Sequence, residues 1–351
     1  MNKKMLAPFL NSCSDNRKSK TCTELDRSIR NRKFAVVLGV LLLTLSFPVN
    51  AQQQKKIPRI GFLSAAAPPG TPYESFRRGL RDLGYVEGQN IAIEYRSGEG
   101  TPRLTELATD LVQLKVDLIV AQGQAALTAK TAVRAVPVVF GLSGDPVDAG
   151  LIDGLARPGG NMTGITFLAF ELVGKRLELL KEAVPKISRV AVMAYPGHPG
   201  EERELKETQL TAQALKIVLH YLSVKKPTDI DKAFGVIAKE HTDAILAFPD
   251  PITMAHRTQI AEFAVKRRLP SVFGWKDYVE AGGLMSYGPN LDESWRRVAV
   301  HVDKILKGAK PADLPAERPA KFEFVINLKT AKLIGLTIPP NVLARADKVI
   351  K

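Results

Sequence analysis

PVVFGL, at Pro137–Leu142, and PSVFGW, at Pro270–Trp275, are near copies 133 positions apart. Other stretches repeat in the same order. ISRVAVMAYPGHPG (Ile187–Gly200) tracks IPRIGFLSAAAPPG (Ile57–Gly70) at an offset of 130. TDAILAFPD (Thr242–Asp250) tracks VDLIVAQGQ (Val116–Gln124) at 126, with Asp243 standing where Asp117 stands. Offsets that differ by a few residues are what loops absorb. The period is far too long for a solenoid and has the size of a whole α/β unit. Buried strands resemble one another because Val, Ile and Phe dominate them, but shared Pro and Gly in a shared order favour duplication.

Within the first copy, strand and helix patterns alternate. Ile57–Leu63 is a short apolar strand. From about Tyr73 to Leu83 a helix places Phe76, Leu80 and Leu83 on one face, and Gly84 stops it. NIAIEYR (Asn90–Arg96) alternates like a strand, Thr101–Leu114 is an amphipathic helix, and Ala125–Val133 is another helix. Val116–Gly123 and the strand of VPVVFGLSG are continuous apolar runs, as expected of strands buried on both faces. Such alternation argues for right-handed βαβ units and a parallel sheet covered on both sides. The fold class is therefore α/β: two Rossmann-like lobes, each a parallel sheet flanked by helices. MTGITF reads as the last strand of the first lobe, and Glu171–Val184 as the helix that opens the second. A long amphipathic helix, Leu291–Lys307, and a late strand, Lys321–Asn327, lie outside the repeat. They suit a chain that crosses back to the first lobe and again to the second through a multi-strand hinge. The expected lobes are 57–168 plus 288–312, and 169–287 plus 313–351.

The N-terminus has a different character. Arg30, Arg32 and Lys33 precede the apolar run FAVVLGVLLLTLSF (Phe34–Phe47), and Val49 and Ala51 fit small-x-small cleavage after Ala51. This is the pattern of a secretory signal peptide, too short to span a bilayer comfortably. An uncleaved anchor is the plain alternative. Residues 1–29 lie upstream of a normal signal and suggest an over-extended start. Both cysteines, Cys13 and Cys22, fall before the apolar run, which argues against a lipoprotein, thiol catalysis and thiolate metal sites. Of the chain's 50 Lys/Arg and 36 Asp/Glu, nine and three lie in residues 1–51, so the remainder carries +8. That spread-out excess, without interleaved aromatics, is a poor nucleic-acid surface.

In open α/β sheets, ligands bind beyond the carboxyl ends of the strands, where helix N-termini offer free N–H groups. The stretches found there are SAAAPPG, QGQAA, LSGDP, AYPGHPG, FPDP, GWKD and SYGPN. From them Ser64 and Ser143 could hold a carboxylate, Asp145 and Asp250 an ammonium group, and Tyr195, Trp275 and Tyr287 could stack on a flat or cationic group. The plain alternatives are helix capping for both aspartates, core or hinge packing for Trp275 and Tyr287, and a turn role for Ser64. Catalytic patterns are weak. GLSGD at Gly141–Asp145 lacks the last glycine of a nucleophile elbow. His198, His220, His241, His256 and His301 show no metal-ligand spacing, and there is no P-loop or dinucleotide fingerprint. No metal or cofactor is expected. Binding without turnover is the economical reading.

Several runs carry a resemblance: RIGFLS, FRRGLRDLGYVEGQNIAIEYR, LSGDPVDAGLIDGLARPGGNMTGIT, VEAGGLMSYGPN, and the C-terminal stretch containing INLKTAKLIGLTIPP. They span nearly all of the chain from Pro58 on. The sequence is similar to the ABC transporter substrate-binding proteins of the tryptophan/tyrosine-transport-like group, with the type I periplasmic-binding fold. The resemblance implies a periplasmic receptor that hands a small solute to a membrane permease driven by an ATPase, touching the membrane only through that permease. It implies a monomer with three interlobe crossings and no enzymatic activity. By position it assigns the pocket to Ser64, Gln124, Ser143, Asp145, Tyr195, Asp250 and Trp275. The implied ligand is an aromatic amino acid or a related small carboxylate or amine. A sensing subunit for a membrane kinase would use the same lobes. An exported α/β enzyme is a further alternative. A sugar-repressor-like regulator would need a DNA-reading helix pair where the signal peptide stands.

Overall fold

The structure, a computed structural model, describes residues 56–351 apart from 66–69, 99–100, 168, 197–199 and 320. The segment read as a signal peptide, both cysteines and His198 lie outside the described residues. Residues 57–351 form one compact unit.

The first sheet is built from β1 (Arg59–Ser64), β2 (Ala92–Ser97), β3 (Leu118–Gln122), β4 (Val138–Leu142) and β5 (Met162–Thr166). Its order is β2-β1-β3-β4-β5, all parallel. Helices α1 (Thr71–Asp82), α2 (Thr101–Gln113) and α3 (Gln124–Ala132) connect its strands. After β5 the chain crosses into α4 (Ala169–Ala183) and repeats the plan. β6 (Arg189–Ala194), α5 (Glu201–Ala214), β7 (Val218–Ser223), α6 (Thr228–Lys239) and β8 (Ala244–Ala247) come first. Then follow α7 (Pro251–Ala255), α8 (Arg257–Lys266), β9 (Ser271–Phe273), α9 (Lys276–Glu280) and β10 (Met285–Pro289). These strands lie in the order β7-β6-β8-β9-β10, the same winding as the first sheet.

The duplication extends to single hydrogen bonds. The Arg59 amide donates to Asp117 Oδ2 at 2.8 Å, and the Arg189 amide donates to Asp243 Oδ2 at 2.9 Å. Arg59 Nη1 reaches Leu114 O and Arg189 Nη1 reaches Glu240 O, again 126 positions on. The next residues, Lys115 and His241, both take positive φ, +55° and +48°. The repeated proline has a role too: the Ile119 amide donates to Pro137 O, and the Ile245 amide to Pro270 O, each at 2.9 Å.

Past β10 the copies diverge. The chain leaves the second sheet after Pro289 and enters α10 (Leu291–Leu306), which lies along α1 of the first lobe. Gly79 makes that approach possible, since a Cβ there would meet Ala299 and Arg296 at 2.9 Å. Residues 312–317 then run along the β5 edge, where the Glu317 amide donates to Gly164 O and the Thr166 amide to Glu317 O. β11 (Phe322–Asn327) returns to the second sheet, followed by α11 (Leu328–Leu333), α12 (Pro340–Leu343) and β12 (Lys348–Ile350). β11 runs antiparallel to β10, so the second sheet is mixed rather than wholly parallel. That is the geometry of a strand arriving from the other lobe.

A buried polar group sits in the second lobe. Arg176 on α4 donates from Nε to Tyr287 O at 2.8 Å. Glu204 on α5 is fully buried, and neither carboxylate oxygen has a hydrogen-bond partner among the described residues. Asp250 caps α7, accepting from the Ile252 and Thr253 amides and from Thr253 Oγ1. Burial pushes Glu204 up to about 8 despite Arg176 nearby, and Asp250 up to about 7 despite its donors. Arg176 is itself lowered to about 10 by burial.

Two expectations follow. Gly288→Ala would bring its Cβ to 1.8 Å from Gly274 O, so it should cost about 2–4 kcal/mol in denaturant unfolding. Gly235→Ala, in open space on α6, should be neutral or stabilising by less than about 1 kcal/mol. Both carboxyl groups hold protons in the fold that the unfolded chain releases above about pH 4. Their contribution to stability is therefore complete in acid and is lost as pH rises through 7 and 8. Unfolding free energy should fall between pH 5 and 8.5, and Glu204→Gln should flatten that slope whatever its absolute stability. Parallel curves for the two proteins would show the assignment to be wrong.

Candidate functional site

The carboxyl ends of the two sheets face each other, and side chains from both sides meet there. Ser64 ends β1, is buried, and donates to Gln122 Oε1 at 3.1 Å. Gln124 opens α3, and its Oε1 accepts from the Tyr195 hydroxyl across the cleft at 3.0 Å. Ser143 follows β4 and makes a long, 3.4 Å contact with the carbonyl of Pro249. Gly200, at the start of α5, abuts Gly144: a Cβ on Gly200 would stand 2.8 Å from the Gly144 Cα. Arg203, one turn further on, reaches Asp148 at 2.6 Å and Asp145 at 3.5 Å while lying over the Phe170 ring at 4.1 Å. A groove of about 820 Å³ opens here between the 145–149 turn and α5. At the other end of the cleft, Thr71 Oγ1 donates to Asp277 Oδ1 at 2.8 Å, and Lys276 pairs with Asp292 at 3.0 Å.

Trp275 stands beside the second of these ends. It precedes α9, is largely buried, and meets Phe167 edge to face at 6.4 Å. Its Nε1 has no acceptor among the described residues. Phe167 in turn touches Trp295 at 5.9 Å, and Trp295 touches Phe62 at 5.8 Å. An aromatic line therefore runs from the core of the first lobe to the cleft wall of the second.

The residues singled out from sequence divide into groups. Gln124, Ser143 and Tyr195 stand at strand ends and touch one another or the opposite lobe, whereas Ser64 bonds Gln122 of its own sheet. Asp145 and Asp250 stand there too, but as caps. Asp145 Oδ1 accepts from the amides of Val147 and Asp148, and both oxygens of Asp250 are engaged within α7. Tyr287 stands elsewhere. Residues 286–289, read as a loop after a strand, belong to β10 itself, and the Tyr287 ring packs on Phe322 and Phe324 of the neighbouring hinge strand.

Sequence reading missed Thr71, Asp277, Arg203 and Phe167. Asp277 lies in the GWKD stretch, and its one signal was an acid two residues after Trp275 at the mouth of a strand. Its Oδ2 is buried with no hydrogen-bond partner among the described residues, and burial raises its carboxyl above the usual range. Among the described residues no helix is long and apolar enough to cross a membrane.

Comparison with known proteins agrees with this architecture. The tyrosine-binding protein of Clostridioides difficile (strain R20291) is 23% identical over 315 residues, covering 86% of this chain and 90% of that protein. A conserved domain protein of Vibrio cholerae superposes with a TM-score of 0.78 at 28% identity, over 84% of this chain and all of that one. The ABC domain of Streptococcus pneumonia solved in complex with L-Trp gives 0.74 at 26%, over 83% of this chain and all of that one. The fold is that of the type I periplasmic-binding proteins, two α/β lobes about a cleft. Residues 70–350 match the family described as ABC transporter substrate binding protein, and the chain belongs to that family.

Proposed function

We propose that this protein is an extracytoplasmic receptor that closes its lobes over an aromatic L-amino acid, tyrosine or tryptophan in type, and delivers it to an ABC permease and its ATPase. The observation that carries the reading is Trp275: a largely buried indole at the meeting of the lobes, edge-on to Phe167, with an N–H that no described residue accepts. A flat apolar wall with one free donor suits a flat ligand bearing an acceptor group. The tyrosine-binding relative and the tryptophan-bound neighbour support the same class. Ser64, Gln124, Ser143 and Tyr195 supply hydroxyl and amide groups around it, and Asp145 and Asp250 fix the loops that carry Ser143 and Pro249. Tyr287 lies on β10 and packs on the hinge strand β11. The segment 30–51 is the export signal, and the lobes are 57–168 with 288–312, and 169–287 with 313–351. The protein works as a monomer.

The two tryptophans of the chain, Trp275 at the cleft and Trp295 in the core, make a built-in reporter. Titration with L-tyrosine should change their emission saturably, and Trp275→Ala should weaken binding at least about tenfold, consistent with loss of a large aromatic contact. A ligand at a hundredfold excess over its Kd should add about 2.7 kcal/mol to unfolding. Absence of any thermal shift with tyrosine, tryptophan and phenylalanine would refute the ligand class.

A further inference from the structure

Where the lobes meet, Asp277 is a carboxylate that the described residues leave half unused. Asp277 stands at the N-terminal end of α9, where it meets the N-terminal end of α1 from the other lobe. Its Oδ1 accepts from Thr71 Oγ1 at 2.8 Å. Its Oδ2 is buried and has no hydrogen-bond partner among the described residues. No ion pair among the described residues includes it: the adjacent Lys276, whose charge acts on it, is bonded to Asp292 at 3.0 Å, and Arg78 goes to the same aspartate at 2.7 Å. The other acids at the cleft are spoken for, since Asp145 and Asp250 cap the turns that follow them. Two residues before Asp277, at the cap of the same helix, Trp275 offers a buried N–H donor without an acceptor among the described residues. Burying a carboxylate without a counter-charge is costly, and a cationic group placed beside it removes that cost. An acceptor for a cation and a donor for an anion, close together in sequence, complement a zwitterion.

We infer that Asp277 holds the ammonium group of an α-amino acid ligand through its Oδ2. The inference rests on the amino-acid reading above and sharpens it, because it makes the free amine a requirement for recognition. It also separates two roles for one side chain: Oδ1 ties the lobes together through Thr71, and Oδ2 reads the ligand.

The test is calorimetric titration of the full chain, as wild type, Asp277→Asn and Thr71→Val, with L-tyrosine and with its des-amino analogue, 3-(4-hydroxyphenyl)propanoate. Wild type should bind tyrosine at least about tenfold more tightly than the analogue, the range expected for a charge-assisted hydrogen bond. Asp277→Asn should lose roughly that factor for tyrosine and leave the analogue unchanged. Thr71→Val should shift both ligands alike. If Asp277→Asn weakens both ligands by one factor, Asp277 is only a lobe tie and the inference fails. Should that variant not fold, the wild-type pair still decides, because equal affinity for tyrosine and the analogue overturns the inference alone. Binding of neither ligand overturns the amino-acid reading and this inference with it.

Discussion

In each lobe the last parallel strand of the repeat lies so close to its neighbour that no side chain fits between them. A Cβ on Gly164 would stand 2.1 Å from Phe140 O, and one on Gly288 would stand 1.8 Å from Gly274 O. One glycine lies on β5 and one on β10, and the chain leaves each sheet within a few residues of them. These close approaches therefore fix where the first two crossings emerge. The crossings then pack on each other: Phe167 comes off β5, Trp295 is carried by the helix that follows β10, and their rings lie 5.9 Å apart. Gly141, of the first PxVFG stretch, makes room for Trp295, since a Cβ there would lie 2.7 Å from the indole. Each fully buried large aromatic contributes on the order of 2–3 kcal/mol. An exposed ion pair contributes about 0–1 kcal/mol. The aromatic cluster is thus a firm part of the first lobe that Trp275 of the second lobe meets through Phe167, and the charged contacts around the cleft are the soft part.

The core was legible in the sequence for the same reason that it is firm. Apolar runs buried on both faces, with Pro at the entry and Gly at the exit, admit few substitutes. So Pro137/Pro270, Asp117/Asp243 and Gly141/Gly274 kept their spacing and exposed the duplication. The pair Arg59 and Arg189 kept even its hydrogen bonds. What the sequence did not disclose lies where position depends on the partner lobe. Thr71 and Asp277 are 206 residues apart and meet only because two helix N-termini face each other. Arg203 lies in a helix of alternating charges, EERELKE, that reads as solvated, yet it spans the cleft. Asp145 and Asp250 showed the opposite problem. Their Asp-Pro spacing announced a cap, and capping is what their oxygens do. The antiparallel β11 was beyond the pattern because strand direction is not written in hydrophobic periodicity.

Duplication also explains the layout of the cleft. The loop after β1 meets the loop after β9, through Thr71 and Asp277. The loop after β6 meets the loop after β4, through Gly200 against Gly144 and Arg203 against Asp148. Since β1 corresponds to β6 and β4 to β9, these are the same pairing seen twice, once from each lobe. The central pair, Gln124 and Tyr195, joins the loop after β3 to the loop after β6. A cleft made this way starts with matched halves, and its specificity must come from departures from that match. The N-terminal ends of α1 and α9 carry a hydroxyl and a carboxylate, whereas the other end carries two glycines and an arginine.

The energetic consequence concerns how closure is controlled. The direct ties between the lobes are a few hydrogen bonds, worth about 0.5–1.5 kcal/mol each, and ion pairs such as Arg203–Asp148, whose side chains are 45% and 62% exposed. Against them stands the cost of drying polar groups at the junction: the indole N–H of Trp275 and Asp277 Oδ2 are buried without partners among the described residues. Each such group forfeits about 1–3 kcal/mol, and more when charged. These polar terms are of similar size and roughly offset one another. In the proposed reading, a bound solute that satisfies the orphaned groups converts the cost into a gain and favours closure. On that reading closure is coupled to occupancy without a separate switch.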